Sequence, residues 1–130
     1  MNHFVLVWSV ALYVESRVQG ETDLSELARL TGYSLAHIRD VFRKQTGVTL
    51  SRYVQERKIA NAAQRLVQTR ESIIEIAVMY GYSGRDVFSR VFRQYTGYTP
   101  TEFRTERPIL TQVKLAAGVN GVSLPRKKEL

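Results

Sequence analysis

The sequence contains no cysteine, only two histidines and three prolines, and no long hydrophobic run. Without cysteine it has no disulfide, thiolate metal site or cysteine nucleophile. It also lacks an HExxH motif, a GxSxG elbow and a phosphate-cradling glycine loop. The longest apolar run, residues 4–14 interrupted by Ser9, falls well short of the ~20 residues of a membrane helix. We therefore expect no enzymatic activity, no metal or other cofactor and no membrane association.

The charge is strongly unbalanced towards the basic side. Lysine and arginine number 19 against 12 acidic residues, which gives a net charge of +7 in 130 residues and a pI of about 10.0. Hydrophobic residues make up 44% of the chain, enough for a packed core. The basic excess favours an anionic partner, either nucleic acid or an acidic membrane face.

The apolar N-terminal run predicts a first helix over residues 4–18, ending near Gly20. No basic residue precedes the run, and the first is Arg17, which is not the pattern of a secretion signal. We favour a buried helix. The alternative is a helix with an exposed apolar face that joins two copies of the chain.

Capping residues and glycines divide the rest of the chain into six further helices. They are predicted over residues 24–30, 35–45, 49–67, 73–79 and 84–95, with a last short helix starting at Thr99-Pro100. The predicted caps are Asp23, Ser34, Thr49, Ser72, Ser83 and Thr99. Residues 109–115 are compatible with a strand or an extended arm. The sequence thus predicts an all-α fold of seven helices.

An internal repeat organises this fold. Residues 26–34 and 75–83 share Glu, Ala, Gly, Tyr and Ser at an offset of 49, whereas residues 41–49 match 91–99 at an offset of 50. One residue has therefore entered the second copy between these segments. Each copy has a short helix, a glycine turn and a longer helix with one apolar and one polar, basic face, which is typical of a helix-turn-helix unit.

The spacing of the copies supports this interpretation. The helix between them has about 19 residues, or roughly 28 Å at 1.5 Å per residue. Neighbouring major grooves on one DNA face lie roughly 34 Å apart. We expect an N-terminal helix-turn-helix subdomain over 1–48, a linker helix over 49–68, a C-terminal helix-turn-helix subdomain over 69–106 and a tail over 107–130. DNA bending would absorb the remaining mismatch.

Residues 4–106 resemble the DNA-binding domain of the AraC/XylS family, most closely its stand-alone MarA/SoxS type. The resemblance is carried by Gly32-Tyr33-Ser34, Phe42-Arg43-Lys44, Gly81-Tyr82-Ser83 and, most specifically, the run from Phe88 to Arg93 followed by Gly97-x-Thr99-Pro100-x-x-Phe103-Arg104. It implies a bacterial, cytoplasmic regulator of transcription that binds double-stranded DNA, often as an activator contacting RNA polymerase.

The resemblance places base-reading residues near the start of each recognition helix, on its outward face. They are Ala36, Arg39 and Asp40 in the first copy and Arg85, Asp86 and Arg90 in the second. Each arginine can donate two hydrogen bonds to guanine, and Ala36 can pack on a thymine methyl. Asp40 either accepts from cytosine or braces Arg39, Arg43 or Lys44, and we favour bracing. Asp86 has the same two options, with Arg90 as the residue it would brace.

Other residues are expected at the DNA backbone or inside the protein. The predicted phosphate contacts are Ser34, Arg43, Lys44, Ser83 and Arg93. Trp8, Phe42, Phe88 and Phe92 are expected in the core. Arg57 and Lys58 either touch DNA or, for Arg57, bridge the two subdomains through an ion pair. His37 is expected at the surface or half-buried.

The partner prediction is a monomer that binds two half-sites, with a dimer through the first helix as the alternative. Because so little chain flanks the helices, we expect no ligand-binding domain and activity controlled by protein abundance. The competing hypothesis is a basic protein that binds nucleic acid without sequence preference. The acidic residues on the recognition helices are compatible with this hypothesis.

Overall fold

The computed structural model describes residues 2–20, 22–108, 111–114 and 120–123. The helices are α1 (His3–Ser16), α2 (Leu24–Thr31), α3 (Leu35–Thr46), α4 (Leu50–Gln68), α5 (Ile73–Met79), α6 (Arg85–Thr96) and α7 (Pro100–Glu106). The predicted all-α fold of seven helices is confirmed. An antiparallel hairpin of β1 (Thr111–Lys114) and β2 (Asn120–Ser123) follows it. The rest of the predicted 109–115 segment lies outside the described residues, and the four-part division of the chain stays a prediction.

Local capping explains most of the helix starts. The Asp23 carboxylate accepts from the backbone N–H groups of Ser25 and Glu26, at 3.0 and 3.3 Å. The hydroxyls of Ser34 and Thr49 accept from backbone N–H groups three residues further on. Capping boxes start α5 at Ser72 and α7 at Thr99. These side chains satisfy backbone donors that have no partner within the helix.

The predicted cap at Ser83 is wrong. Gly84 takes the capping position of α6, and no side chain caps this helix. Both α3 and α6 have 12 residues and end at a left-handed glycine, Gly47 or Gly97. The two helices therefore correspond at an offset of 50 along their whole length. The extra residue of the second copy lies in the turn before α6, where it displaces Ser83 from the helix start.

The core of each subdomain packs against α4. This helix contacts α1 and α3 of the first subdomain and α5, α6 and α7 of the second. In the first, the ring of fully buried Phe42 lies 5.1 Å from that of Tyr53. In the second, Phe88 and Phe92 stack edge-on and Phe92 continues to Phe103. The predicted core positions of Phe42, Phe88 and Phe92 are confirmed.

Helix α1 is buried on one side only. Leu6, Val10 and Val14 are inside the core, as expected for a buried helix. Trp8, however, is 43% exposed, so its predicted core position is wrong. It lies one turn from Leu12 in an exposed apolar stripe, because α1 packs against α2, α3 and α4 on its other face. The stripe consists of Phe4, Val5, Trp8 and Leu12. Within the described part of the chain, no helix is long and apolar enough to span a membrane.

Candidate nucleic-acid interface

The predicted base-reading residues all lie on exposed faces of α3 and α6. In α3, the opposite face buries Ile38, Val41 and Phe42 in the core. In α6, Phe88 and Phe92 do the same. Burial of the apolar side holds each helix against its subdomain and leaves the polar side directed at solvent. Each exposed face carries three basic residues and one acidic residue.

The two recognition helices form equivalent surface hollows with the helix that follows each of them. The first is lined by Arg39, Asp40, Arg43, Thr49, Leu50 and Ser51. The second is lined by Ser89, Arg90, Arg93, Gln94 and Thr99. At the offset of 50, Arg43 corresponds to Arg93 and Thr49 to Thr99. The repeat has thus placed one surface twice on the protein.

The acid on α3 is neutralised within its own helix. The Lys44 ammonium lies 3.0 Å from Oδ2 of Asp40, four residues earlier. The hydrogen bond from Lys44 lowers the pKa of Asp40, with help from the charges of Lys44 and Arg43. The favoured bracing option for Asp40 is therefore the one the structure shows, with Lys44 as its partner. Arg39, an exposed neighbour, carries no such carboxylate contact from Asp40.

The acid on α6 is arranged differently. Asp86 and Arg90 form no ion pair with each other or with any other described side chain, so the bracing option for Asp86 is wrong. Arg85 is the residue held in place here, since its Nη2 donates to Oγ1 of Thr101 at 3.3 Å. A guanidinium has five N–H donors, so this bond leaves donors free for a ligand.

The predicted phosphate-contacting residues are also at the surface. Arg43, Lys44 and Arg93 are exposed beside the two hollows. Ser34 and Ser83 are exposed in the turns before α3 and α6. Next to Ser34, the His37 ring stacks on Tyr33 with centroids 5.0 Å apart, which places His37 at the surface as expected.

Arg57 and Lys58 lie inside the protein, at 5% and 9% exposure. The Nε and Nη2 of Arg57 donate to the Glu15 carboxylate at 2.8 and 3.1 Å. Burial alone would raise the pKa of Glu15, but hydrogen bonds from Arg57 and Asn61 hold it below its ordinary value. The predicted ion pair of Arg57 is therefore present, but it joins α4 to α1, so the predicted bridge between the two subdomains is wrong for this pair.

Sequence reasoning missed two parts of this surface. Ser51 and Thr101 are the second residues of α4 and α7, and Thr101 accepts a hydrogen bond from Arg85. Gln94 and Thr99 line the second hollow. The repeat could have indicated these residues, because an offset of 50 pairs Thr49 with Thr99 and Ser51 with Thr101.

Two helix-turn-helix units, each with a basic exposed face and both mounted on one helix, define a DNA-binding protein. Residues 27–106 match a family model described as a helix-turn-helix domain. The chain is 33% identical to the probable transcription factor PqrA of Proteus vulgaris over 101 residues, 76% of this chain and 83% of that protein. It is 28% identical to the multiple antibiotic resistance protein MarA of Escherichia coli over 100 residues, 77% and 79% of the two chains.

Solved structures agree with these relatives. A transcriptional regulator of Chromobacterium violaceum with an AraC-type DNA-binding domain superposes with a TM-score of 0.75 at 26% identity, over 79% of this chain and 92% of that one. The DNA-binding domain of AdpA, solved in complex with a target DNA, shares the fold with a TM-score of 0.69 at 20% identity, over 77% and 90%. The chain belongs to the AraC/XylS family of DNA-binding transcription regulators and is not an enzyme.

Proposed function

We propose that the protein binds a specific bipartite site in double-stranded DNA as a monomer, with α3 in one major groove and α6 in the next. This proposal rests on one observation: α3 and α6 carry equivalent basic faces, and both pack against α4. Helix α4 has 19 residues, which corresponds to about 28 Å. Adjacent major grooves lie roughly 34 Å apart, a difference that modest DNA bending can absorb.

Base recognition is assigned mainly to arginines. Arg90 is exposed and unpaired among the described residues, so its planar donor fork is free to bind guanine O6 and N7. Arg85 acts beside it in a position restrained by Thr101. In the first copy, we assign base recognition to Arg39, because the Asp40 carboxylate already binds Lys44. Ala36 and Asp86, one turn before Asp40 and Arg90, complete the two reading faces.

Backbone contacts would position these readers. Arg43 and Arg93 occupy equivalent places in the two hollows. Ser34, Ser83 and Lys44 lie at the ends of the same surfaces. Contacts to phosphate set register and affinity without carrying sequence information. Mutations of the base-reading residues should therefore change sequence preference, whereas mutations of the phosphate-contacting residues should change affinity for all DNA alike.

We further propose that the bound protein activates transcription in the bacterial cytoplasm by contacting RNA polymerase. The support is the family resemblance. Transcription of a purified template that carries the selected site, with and without the protein, tests the direction of regulation. Increased transcript supports activation, and decreased transcript contradicts it.

The DNA site itself is tested by selection from a random duplex pool. We expect two conserved half-sites separated by about one helical turn. Scrambling either half-site should lower affinity by far more than the few-fold scatter of random sequences. A protein without sequence preference would instead select no motif, and its affinity for all duplexes would fall equally steeply with salt.

A further inference from the structure

Besides their common contact with α4, the two subdomains touch each other directly. The loop between α1 and α2 meets the end of α5, where the N–H of Gly20 donates to the carbonyl of Met79 at 2.8 Å. Beside it, Tyr80 is almost completely buried, at 2% exposure. The α1–α2 loop of the first subdomain is therefore joined directly to the end of α5 in the second.

Helix α4 contributes Lys58 to the same contact. Its ammonium donates to the carbonyl oxygen of Gly20 at 3.0 Å, and the residue is only 9% exposed. A buried ammonium is costly unless its N–H groups are bonded. The interaction with Gly20 therefore restrains both the lysine and the loop. Three elements converge at this carbonyl: the α1–α2 loop, the linker helix and the turn after α5.

Gly81 closes the contact from the second subdomain. Its φ of +83° lies in the left-handed region. A Cβ at this position would lie 2.7 Å from the Gly20 oxygen, closer than real Cβ contacts, and a tight 3.2 Å from its carbonyl carbon. Gly32, the counterpart in the first copy, has a φ of +78° but would meet nothing within 4 Å. The repeat thus needs glycine twice for conformation, and in the second copy also for space.

We propose that this junction, formed by Gly20, Lys58, Met79 and Gly81, sets the angle between the two recognition helices and thereby the half-site spacing that the protein accepts. Lys58 and Gly81 act as positioning residues. The spacing consequence rests on the proposed function. One added base pair rotates the distal half-site by about 35° and moves it by about 3.4 Å. A monomer with a fixed inter-subdomain angle cannot follow that displacement without straining itself or the DNA.

The angle is measured first without DNA. Because the chain has no native cysteine, Gln45→Cys and Gln94→Cys place one spin label on each recognition helix. The label distance is compared in Gly81→Ala, Lys58→Met and the matched control Gly32→Ala. The control introduces the same left-handed strain without the close contact. We expect a shifted or broadened distance in Gly81→Ala and Lys58→Met and no change in Gly32→Ala. An unchanged distance in both junction variants, with helical content intact, overturns the proposal.

The DNA consequence is measured on the duplex selected by the wild-type protein and on versions with one base pair added or removed between half-sites. We expect wild type and Gly32→Ala to lose about tenfold in affinity per spacing change, similar to one mismatched base pair. In the junction variants the loss should fall below about threefold, or the preferred spacing should change. Altered label distances with unchanged spacing preference overturn the spacing claim. If scrambling a half-site leaves wild-type affinity unchanged, the proposed function fails, while the label distances still test the junction.

Discussion

The Lys44 ammonium lies 3.0 Å from the Asp40 carboxylate on the exposed face of α3. In the second copy, the position equivalent to Asp40 holds Arg90. The same surface therefore presents a neutralised ion pair in the first subdomain and, in the second, a guanidinium that has no ion-pair partner among the described residues. We therefore expect α3 and α6 to contribute unequally to base recognition, although they have equal length and belong to the same repeat.

Replacing Asp40 with arginine should make the first recognition helix resemble the second. Asp40→Arg adds two positive charges and releases Lys44, so affinity for random DNA should rise. The slope of log affinity against log salt should steepen by about one to two. Fluorescence anisotropy over a salt series measures both quantities. The control Glu106→Arg adds the same charge at an exposed position on α7. An equal rise in that control would show that net charge alone is responsible.

Arg90→Ala should weaken binding to the selected site far more than binding to random duplexes. Loss of a bidentate contact to guanine costs about 1–3 kcal/mol and relaxes the preference at that base pair. Competition binding against single-base variants of the site measures the effect. Arg93→Ala is the comparison, because loss of a phosphate contact should lower both affinities alike. An equal loss on both kinds of DNA for Arg90→Ala would contradict base reading.

Arg57→Met should destabilise the fold without removing any DNA contact. It leaves the half-buried Glu15 carboxylate without its principal partner, at a cost of about 2–3 kcal/mol. Arg52→Met on the same helix provides the control, since the Arg52–Glu56 pair is exposed and should be worth less than about 1 kcal/mol. Urea denaturation compares the two. Equal losses would show that the burial of the Arg57–Glu15 pair does not matter.

The same ion pair should make stability depend on acid pH. In the folded protein the pKa of Glu15 is lowered from 4.5, because the Arg57 and Asn61 hydrogen bonds outweigh burial. Its contribution is fully present above pH 4.5 and is lost as pH falls through the lower folded value. Glu15→Gln should therefore be less stable than wild type at pH 7, and the gap should narrow below pH 4.5. Urea midpoints at several pH values, with Glu106→Gln as control, measure this. A constant gap would refute the linkage.

The protein should sediment as a monomer, both free and on a single asymmetric site. Two recognition helices on one chain remove the need for a partner. The contrary outcome is a dimer joined through Trp8 and Leu12, which lie in the exposed apolar stripe of α1. Sedimentation velocity over a range of concentrations decides between them. If a dimer forms, Trp8→Glu should dissociate it, whereas Ile74→Glu, on an exposed apolar residue of α5, should not.

Most of the helices could be predicted because their signals are local. Asp23, Ser34, Thr49 and Thr99 cap helices through backbone groups only two or three residues away. The glycines after α2, α3 and α6 adopt positive φ values within the turn itself. Ser83 does not cap α6, although the change of offset from 49 to 50 showed that one residue had entered the second copy between Ser83 and Val91. Only the structure places that residue in the turn before α6.

By itself, the sequence determined the seven helices, the duplicated unit and the basic faces of α3 and α6. These features depend on spacing and chemistry along the chain, which capping, periodicity and repetition reveal. Only the tertiary structure decided that Trp8 is exposed, that Arg57 and Lys58 are buried, and that Gly20 meets Gly81. Burial and close approach depend on which surfaces of distant segments meet. Trp8 and Val10 look alike as apolar residues of one helix until the packing of α1 separates them.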